Sequence, residues 1–428
     1  MNDRYGLPFS VASQAAADAY VLAVDNLLAA GAGLVESFDA ALALDPGCAL
    51  AEIGRARCLA TYGRGAEALV SAVRARGLAA GTGTRERGHV EALALTIEGR
   101  GIEALAAIKV HLAVYPRDAL VLQPATGIFG LIGFSGRIDR ETELLALLDG
   151  LAPEYGDDWW FAASRAFAEC EAGRLAVAEA RVMRSLEAAP HNANAAHVRA
   201  HVHYELRQAG AGADFLRNWL LRFPSPCVLR GHLSWHLALW ELGMGNAEVA
   251  WKLYENEFGA PLCGRGAPTP PLNVLTDAAS WLWRAELLGQ AERSAEWRAV
   301  AAFCAERFPK AGIVFADIHV ALAHARMHDD AAQRRLCDGL ASLARERPAC
   351  EVALALAEGF AAYARGDREA AAGLLARVRD AAVRVGGSRA QRELVDRTLY
   401  LACQHARPAP DAGATALLAA RPQIASGA

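Results

Sequence analysis

Residues 190–224 read PHNANAAHVRAHVHYELRQAGAGADFLRNWLLRFP. A proline break opens the stretch, and a helix-compatible run from Ala195 continues to Leu206. A turn containing glycine follows at Gln208-Ala209-Gly210, then a second helical run to Arg222 and a closing Phe223-Pro224. Proline and glycine at these places mark the ends of helices, so the stretch is one helical hairpin. The two prolines stand 34 residues apart, and the same punctuation returns elsewhere. Further breaks lie at Leu44-Asp45-Pro46, Tyr115-Pro116 and Phe308-Pro309, and further turns at Glu171-Ala172-Gly173-Arg174 and Gly243-Met244-Gly245-Asn246. One hairpin cannot bury its apolar face alone. Stacking successive hairpins builds a continuous core, with the first helix of each lining an inner surface.

The composition agrees. Of the 428 residues 54% are hydrophobic and 21% charged, enough apolar material for a large core. Alanine is abundant throughout, and no β-branched alternating runs occur, which makes the class all-α, an α-solenoid of stacked hairpins curling around a concave pocket. The period is that of tetratricopeptide repeats. The expected division is an N-terminal helical segment over 1–34, the solenoid over 35–405 and a flexible Pro/Ala/Gly-rich tail over 406–428. An irregular loop is expected at 259–271, where four prolines and three glycines preclude a helix.

A formal net charge of -4 with both signs dispersed leaves no basic block for a nucleic acid. The N-terminus lacks a signal-peptide pattern, and no apolar run reaches spanning length, so a cytoplasmic protein that does not enter a membrane is expected. Nine cysteines, odd in number and never spaced as CxxC, indicate neither a disulfide framework nor a zinc ribbon. No GxGxxG, GxxxxGK[ST] or GxSxG occurs, which sets aside nucleotide-dependent oxidoreductases, P-loop NTPases and α/β-hydrolases.

Histidine is where the chemistry concentrates. Five of the twelve, His197, His201, His203, His232 and His236, lie within forty residues on two successive first helices. The pairs His197/His201 and His232/His236 are four residues apart, which puts both rings of a pair on one helix face. Imidazole titrates near neutrality and is the commonest metal ligand, so such pairs suit either acid/base chemistry or a metal. As metal ligands, His197, His201, His232 and His236 would supply four nitrogens, with a divalent metal as the cofactor and Glu205 or Asp277 supporting it. No HExxH is present, which excludes the familiar metallopeptidase arrangement.

The segments His197-Val-Arg-Ala-His201-Val-His203-Tyr-Glu205 and Gly231-His232-Leu-Ser-Trp235-His236 resemble the histidine-bearing repeats of the tetratricopeptide repeat protein 38 family. Further matches are Arg87-Gly-His89-Val90, Asp277 ahead of Leu282-Trp283-Arg284, Phe315-Ala-Asp317-Ile-His319, and Gly386-Gly387-Ser388-Arg389-Ala390-Gln391-Arg392-Glu393. The resemblance runs from about residue 35 to 400 and implies one solenoid of degenerate repeats around a pocket. Glu52 stands where relatives often carry a histidine, and Tyr204 where a carboxylate is common.

Two enzymatic readings follow, with a third that needs no chemistry. In the first, the histidines hold a metal. In the second, His201, His232 and His236 act as acid and base without one, oriented by Asp277 or Asp317, while Arg87, Arg284 and Arg392 grip an anion with their planar forks. Trp235, His89, His319 and Gln391 complete the substrate-binding set. Either reading makes the protein a hydrolase or other acid/base enzyme for a small polar or anionic molecule. The third is a non-catalytic scaffold for a protein partner, since repeat arrays of this class serve mostly as interaction modules; Trp235, Trp240, Trp281 and Trp283 are then core residues. A homodimer is compatible with all three. Ser388 with Gln391 three residues on also reads as a plain helix capping box.

Overall fold

Where the sequence alternates Ala-rich runs with Gly-containing turns, antiparallel helix pairs form. The computed structural model describes residues 1–224, 226–266 and 268–406. From residue 407 the expected tail lies outside the described residues. Among those residues there are helices, turns and one isolated bridge, Asn2 with Pro8, and no helix is long and apolar enough to cross a membrane.

The chain divides into two units. The first comprises 1–133, 141–199 and 223–229, the second 134–140, 200–222 and the rest from Arg230. The first unit holds α1 (Gln14–Leu28), α2 (Leu34–Leu44), α3 (Ala49–Thr61), α4 (Gly65–Ala79), α5 (Thr84–Ile97), α6 (Gly101–Val114), the short α7 (Ala119–Leu122), most of α8 (Arg140–Tyr155), α9 (Trp159–Glu171) and α10 (Leu175–Ala188). Helices α1/α2, α3/α4, α5/α6 and α9/α10 pair as hairpins, and α3 packs on α5 in the inner layer. The segment over 1–34 is therefore not separate from the repeats, because α1 is the first arm of the first hairpin. Ahead of it a strap folds back on itself, with Asp3 accepting from the backbone N–H groups of Tyr5 and Leu7.

Helix α11 (Ala193–Glu205) begins in the first unit and ends in the second. The second unit continues with α12 (Ala209–Arg222), α13 (Arg230–Gly243), α14 (Ala247–Leu253), α15 (Pro271–Leu287), α16 (Ser294–Arg307), α17 (Val314–Arg326), α18 (Asp330–Leu343), α19 (Pro348–Ala364), α20 (Arg368–Val378) and α21 (Arg389–Ala406). The first arms α13, α15, α17 and α19 pack on one another in sequence, and the second arms lie outside them. The last helix, α21, pairs with α20 and also packs against α15 and α19.

The turns follow one rule with instructive exceptions. Gly63, Gly99, Gly173, Gly245, Gly289 and Gly366 close their hairpins at positive φ, a conformation glycine adopts without a Cβ clash. In the 190–224 hairpin, however, the left-handed residue is Arg207 at φ 60°, and Gly210 is helical inside α12. Glycine serves close packing too. A Cβ at Gly212 would meet the Trp240 ring and one at Gly387 the Phe315 ring. Within the irregular stretch after α14, a turn of 3-10 helix forms at Ala260–Cys263. Most of the nine cysteines are buried.

Candidate functional site

In the second unit His201 comes from α11, His232 and His236 from α13, and Asp277 from α15. All four are at most 3% exposed. The rings of His201 and His236 meet edge-on with centroids 4.7 Å apart, and those of His232 and His236 at 4.9 Å. Each of the three histidines offers a ring nitrogen within 4.8 Å of the others. The i,i+4 spacing on α13 and the approach of the end of α11 bring them together.

The electrostatics keep His201 uncharged. Burial, and then the neighbouring His232, push His201 down to about 3, so its ring is neutral at ordinary pH and retains a lone pair. His232 donates from Nδ1 to Asp277 Oδ1 at 2.7 Å, which fixes its tautomer and leaves Nε2 as the lone-pair nitrogen. Burial raises Asp277, partly offset by the His232 ring. Trp235 stacks on His232 with centroids 5.2 Å apart and interplanar angle 11°.

Beside this group stands Arg284 of α15, fully buried, with its guanidinium 5.7 Å from the Trp235 ring centroid. Arg284 donates to the carbonyls of Ala390 and Gln391 at the start of α21. It forms no ion pair among the described residues, and burial lowers its pKa, partly offset by the Tyr204 side chain. Gln391 accepts from Ser388 N–H at 3.0 Å while its own N–H donates to Ser388 Oγ at 3.2 Å, the reciprocal capping box expected from the sequence. Arg392 donates back to the Gly387 carbonyl. His319 is buried on α17, donates from Nδ1 to the Phe315 carbonyl at 2.7 Å, and is pushed down to about 4 by burial. Asp317 accepts from Gly312 N–H at 2.9 Å and is raised to about 6 by burial. It stands in the first turn of α17 and reaches back to the chain just before the helix.

The remaining sequence candidates are placed as follows. His197, one turn before His201 on α11, belongs to the first unit, where its ring packs 5.5 Å from Phe167. His203 bonds from Nδ1 to Gln208 Oε1 at 2.8 Å and packs on Phe215 of α12, so it joins its own hairpin partner. Arg87 is exposed on α5 and donates to the Thr82 carbonyl. Glu52 is buried and bonded to Ser71, with Arg74 at 3.3 Å.

His89 lies in the first unit, in an arrangement around Asp118 that sequence reasoning missed. Its Nδ1 lies 3.0 Å from both Asp118 oxygens, His111 Nε2 lies 2.9 Å from Asp118 Oδ2, and Arg85 Nε donates to the same oxygen at 3.0 Å. Arg85 also donates to Asp3 of the strap at 2.7 Å. Burial alone would raise Asp118, but the two rings and the guanidinium outweigh it and hold the carboxyl well below its usual range. A cavity of about 10 Å³ beside Asp3, Tyr20 and Asp118 admits a water molecule and nothing larger. One signal was present, since Arg85 stands four residues before His89 and therefore shares its face. Asp118 followed a proline break and read as punctuation only.

No protein-family model matches the chain. Among solved structures it is similar to the yeast Tom70 crystal structure at 12% identity, covering 84% of this chain and 90% of that one, with TM-score 0.42. It is also similar to Naa15/Naa10 bound to HypK-THB (14% identity, 94% of this chain and 70% of that one, TM-score 0.23). A third is the P58(IPK) TPR domain (15% identity, 91% and 97%, TM-score 0.21). The chain is a TPR-like helical repeat protein, and that assignment rests on its own stacked hairpins, positive-φ turns and all-helical content.

Proposed function

We propose that the second unit carries a histidine-held site for a divalent transition metal of the zinc class, used in hydrolytic or other acid/base chemistry on a small polar molecule. The observation that carries this reading is the convergence of His201, His232 and His236, buried, with nitrogens within 4.8 Å of one another. Ligand nitrogens of tetrahedral zinc stand about 3.3 Å apart around bonds of about 2.0 Å. Modest rotation of the rings therefore reaches the required spacing. Neutral imidazoles are the protonation state a metal needs, and an aspartate on the far nitrogen of one of them is the usual outer support. When bound, such a metal would lower the pKa of a coordinated water toward neutrality. Asp277 would hold the His232 ring in place.

Metal analysis of full-length protein prepared without chelator tests this. Near-stoichiometric zinc-class metal that is lost in His201→Ala/His236→Ala supports the site. A folded wild-type protein that takes up no metal on dialysis against zinc overturns it.

A second reading, a scaffold for a protein partner, is favoured by Val70 and Val73 of α4 and Ile102, Val110 and Val114 of α6. All five are strongly exposed apolar side chains on the outer helices of consecutive hairpins. That reading concerns a different surface from the histidine site.

A further inference from the structure

Three side chains next to the histidine group share one property: each has a hydrogen-bond donor that is buried and unused. Trp235 Nε1, Arg284 Nε and the Gln391 side-chain Nε2 have no hydrogen-bond partner among the described residues, and the three residues are at most 3% exposed. They come from α13, α15 and α21, which are in mutual contact through α15. Arg284 links them, with its guanidinium over the Trp235 ring and its Nη2 on the Gln391 carbonyl. All three orphan groups are N–H donors. A buried donor without an acceptor is costly, and native proteins keep few of them unless something arrives to accept.

The charge balance points the same way. Glu393 is a buried carboxylate in reach of Arg284's field, but it is engaged by Arg397, whose Nε donates to Glu393 Oε1 at 2.9 Å. Among the described residues Arg284 has no ion pair of its own, its favourable neighbours being the Tyr204 side chain and the Glu393 carboxylate it shares with Arg397. A buried cation with no counter-ion is unfavourable until an anion joins it. A planar guanidinium edge, an indole N–H and a carboxamide N–H together suit the oxygens of a compact oxyanion.

We infer that Trp235, Arg284 and Gln391 form the recognition site for the anionic group of the ligand, a carboxylate or phosphate, beside the histidine site. This deepens the proposed function and rests on it only for the identity of the neighbouring metal. The anion-binding step itself needs no metal.

Binding of inorganic phosphate and of acetate to the full chain, followed by isothermal titration calorimetry with and without added zinc, tests the inference and separates the two oxyanion types. Trp235→Phe keeps an aromatic ring and removes one donor. Gln391→Glu keeps an oxygen to accept from Ser388 N–H and replaces the inward donor with a carboxylate. The expected result is saturable binding of at least one anion to wild type, weakened tenfold or more in each variant, with melting temperatures close to wild type. Arg284→Lys, which keeps the charge and loses the fork, weakens binding as well. Anion binding unchanged in folded Trp235→Phe and Gln391→Glu overturns the inference, as does the absence of saturable binding of both anions to wild type. Anion binding that persists without zinc and depends on these residues sustains it even where metal uptake fails.

Discussion

Each unit buries a group made of histidine and aspartate, and the two groups are organised oppositely. In the first, Asp118 is the centre, receiving His89, His111 and Arg85, so the rings are turned toward a carboxylate. In the second, the rings of His201, His232 and His236 are turned toward one another and Asp277 bonds to His232. An arginine at the first group supplies a permanent positive charge that would repel a cation and already satisfies the carboxylate. At the second no arginine ion pair neutralises Asp277, and the nitrogens face inward. Buried histidine alone therefore says little about chemistry. What distinguishes a packing hub from a ligand site is whether the carboxylate sits among the rings or behind them.

The sharpest way to break this contrast is to remove the two aspartates separately. Asp118→Ala leaves the Arg85 guanidinium buried without its main partner, a change that costs roughly 3–5 kcal/mol. Chemical denaturation of the first unit should show it, with metal uptake by the folded fraction unchanged. Asp277→Asn, in contrast, keeps an oxygen for the His232 ring and removes a carboxyl that burial already holds above its usual range. Its stability should change by about 1 kcal/mol or less, while zinc affinity measured by competition with a chromophoric chelator falls roughly 10–100-fold. Equal stability losses in the two variants would erase the distinction.

The pH dependence of the second unit provides a further test. His319 falls from an ordinary 6.5 to about 4 because burial disfavours its charged form. A base with a lowered folded-state pKa contributes stability that is fully present above about pH 6.5 and is lost as the pH falls toward 4. His319→Gln should flatten that acid limb by roughly 3 kcal/mol at most, read from denaturation midpoints at pH 7 and pH 4.5. A limb of unchanged slope would place the proton uptake elsewhere. The smallest effect is expected at the outer helices. Val70→Ser and Val110→Ser should shift stability by about 0.5 kcal/mol or less and leave metal content alone, so a larger metal effect would connect that surface to the site against this account.

Much of the fold was legible because its signals are local. Proline breaks and glycine turns are set by backbone sterics at single residues, and the Ser388/Gln391 box needs only three residues of spacing. The i,i+4 pair His232/His236 could be read from helical geometry for the same reason. Arg207 escaped notice because a left-handed arginine has no sequence marker and Gly210 stood nearby to attract the reading. Arg87 drew attention through its motif, whereas helix phase buries Arg85 with His89. Asp118, and the packing of α21 on α15 that delivers Gln391 to Arg284, depend on contacts between residues far apart in the chain. Nothing in a local window encodes those.

The measurement closest to the central claim is zinc K-edge X-ray absorption on protein reconstituted with one equivalent of zinc and freed of excess by gel filtration. The account predicts a first shell of nitrogen and oxygen at about 2.0 Å with the multiple-scattering signature of at least three imidazoles, lost in His201→Ala/His236→Ala. A first shell containing sulfur, or zinc that does not survive gel filtration, would contradict it.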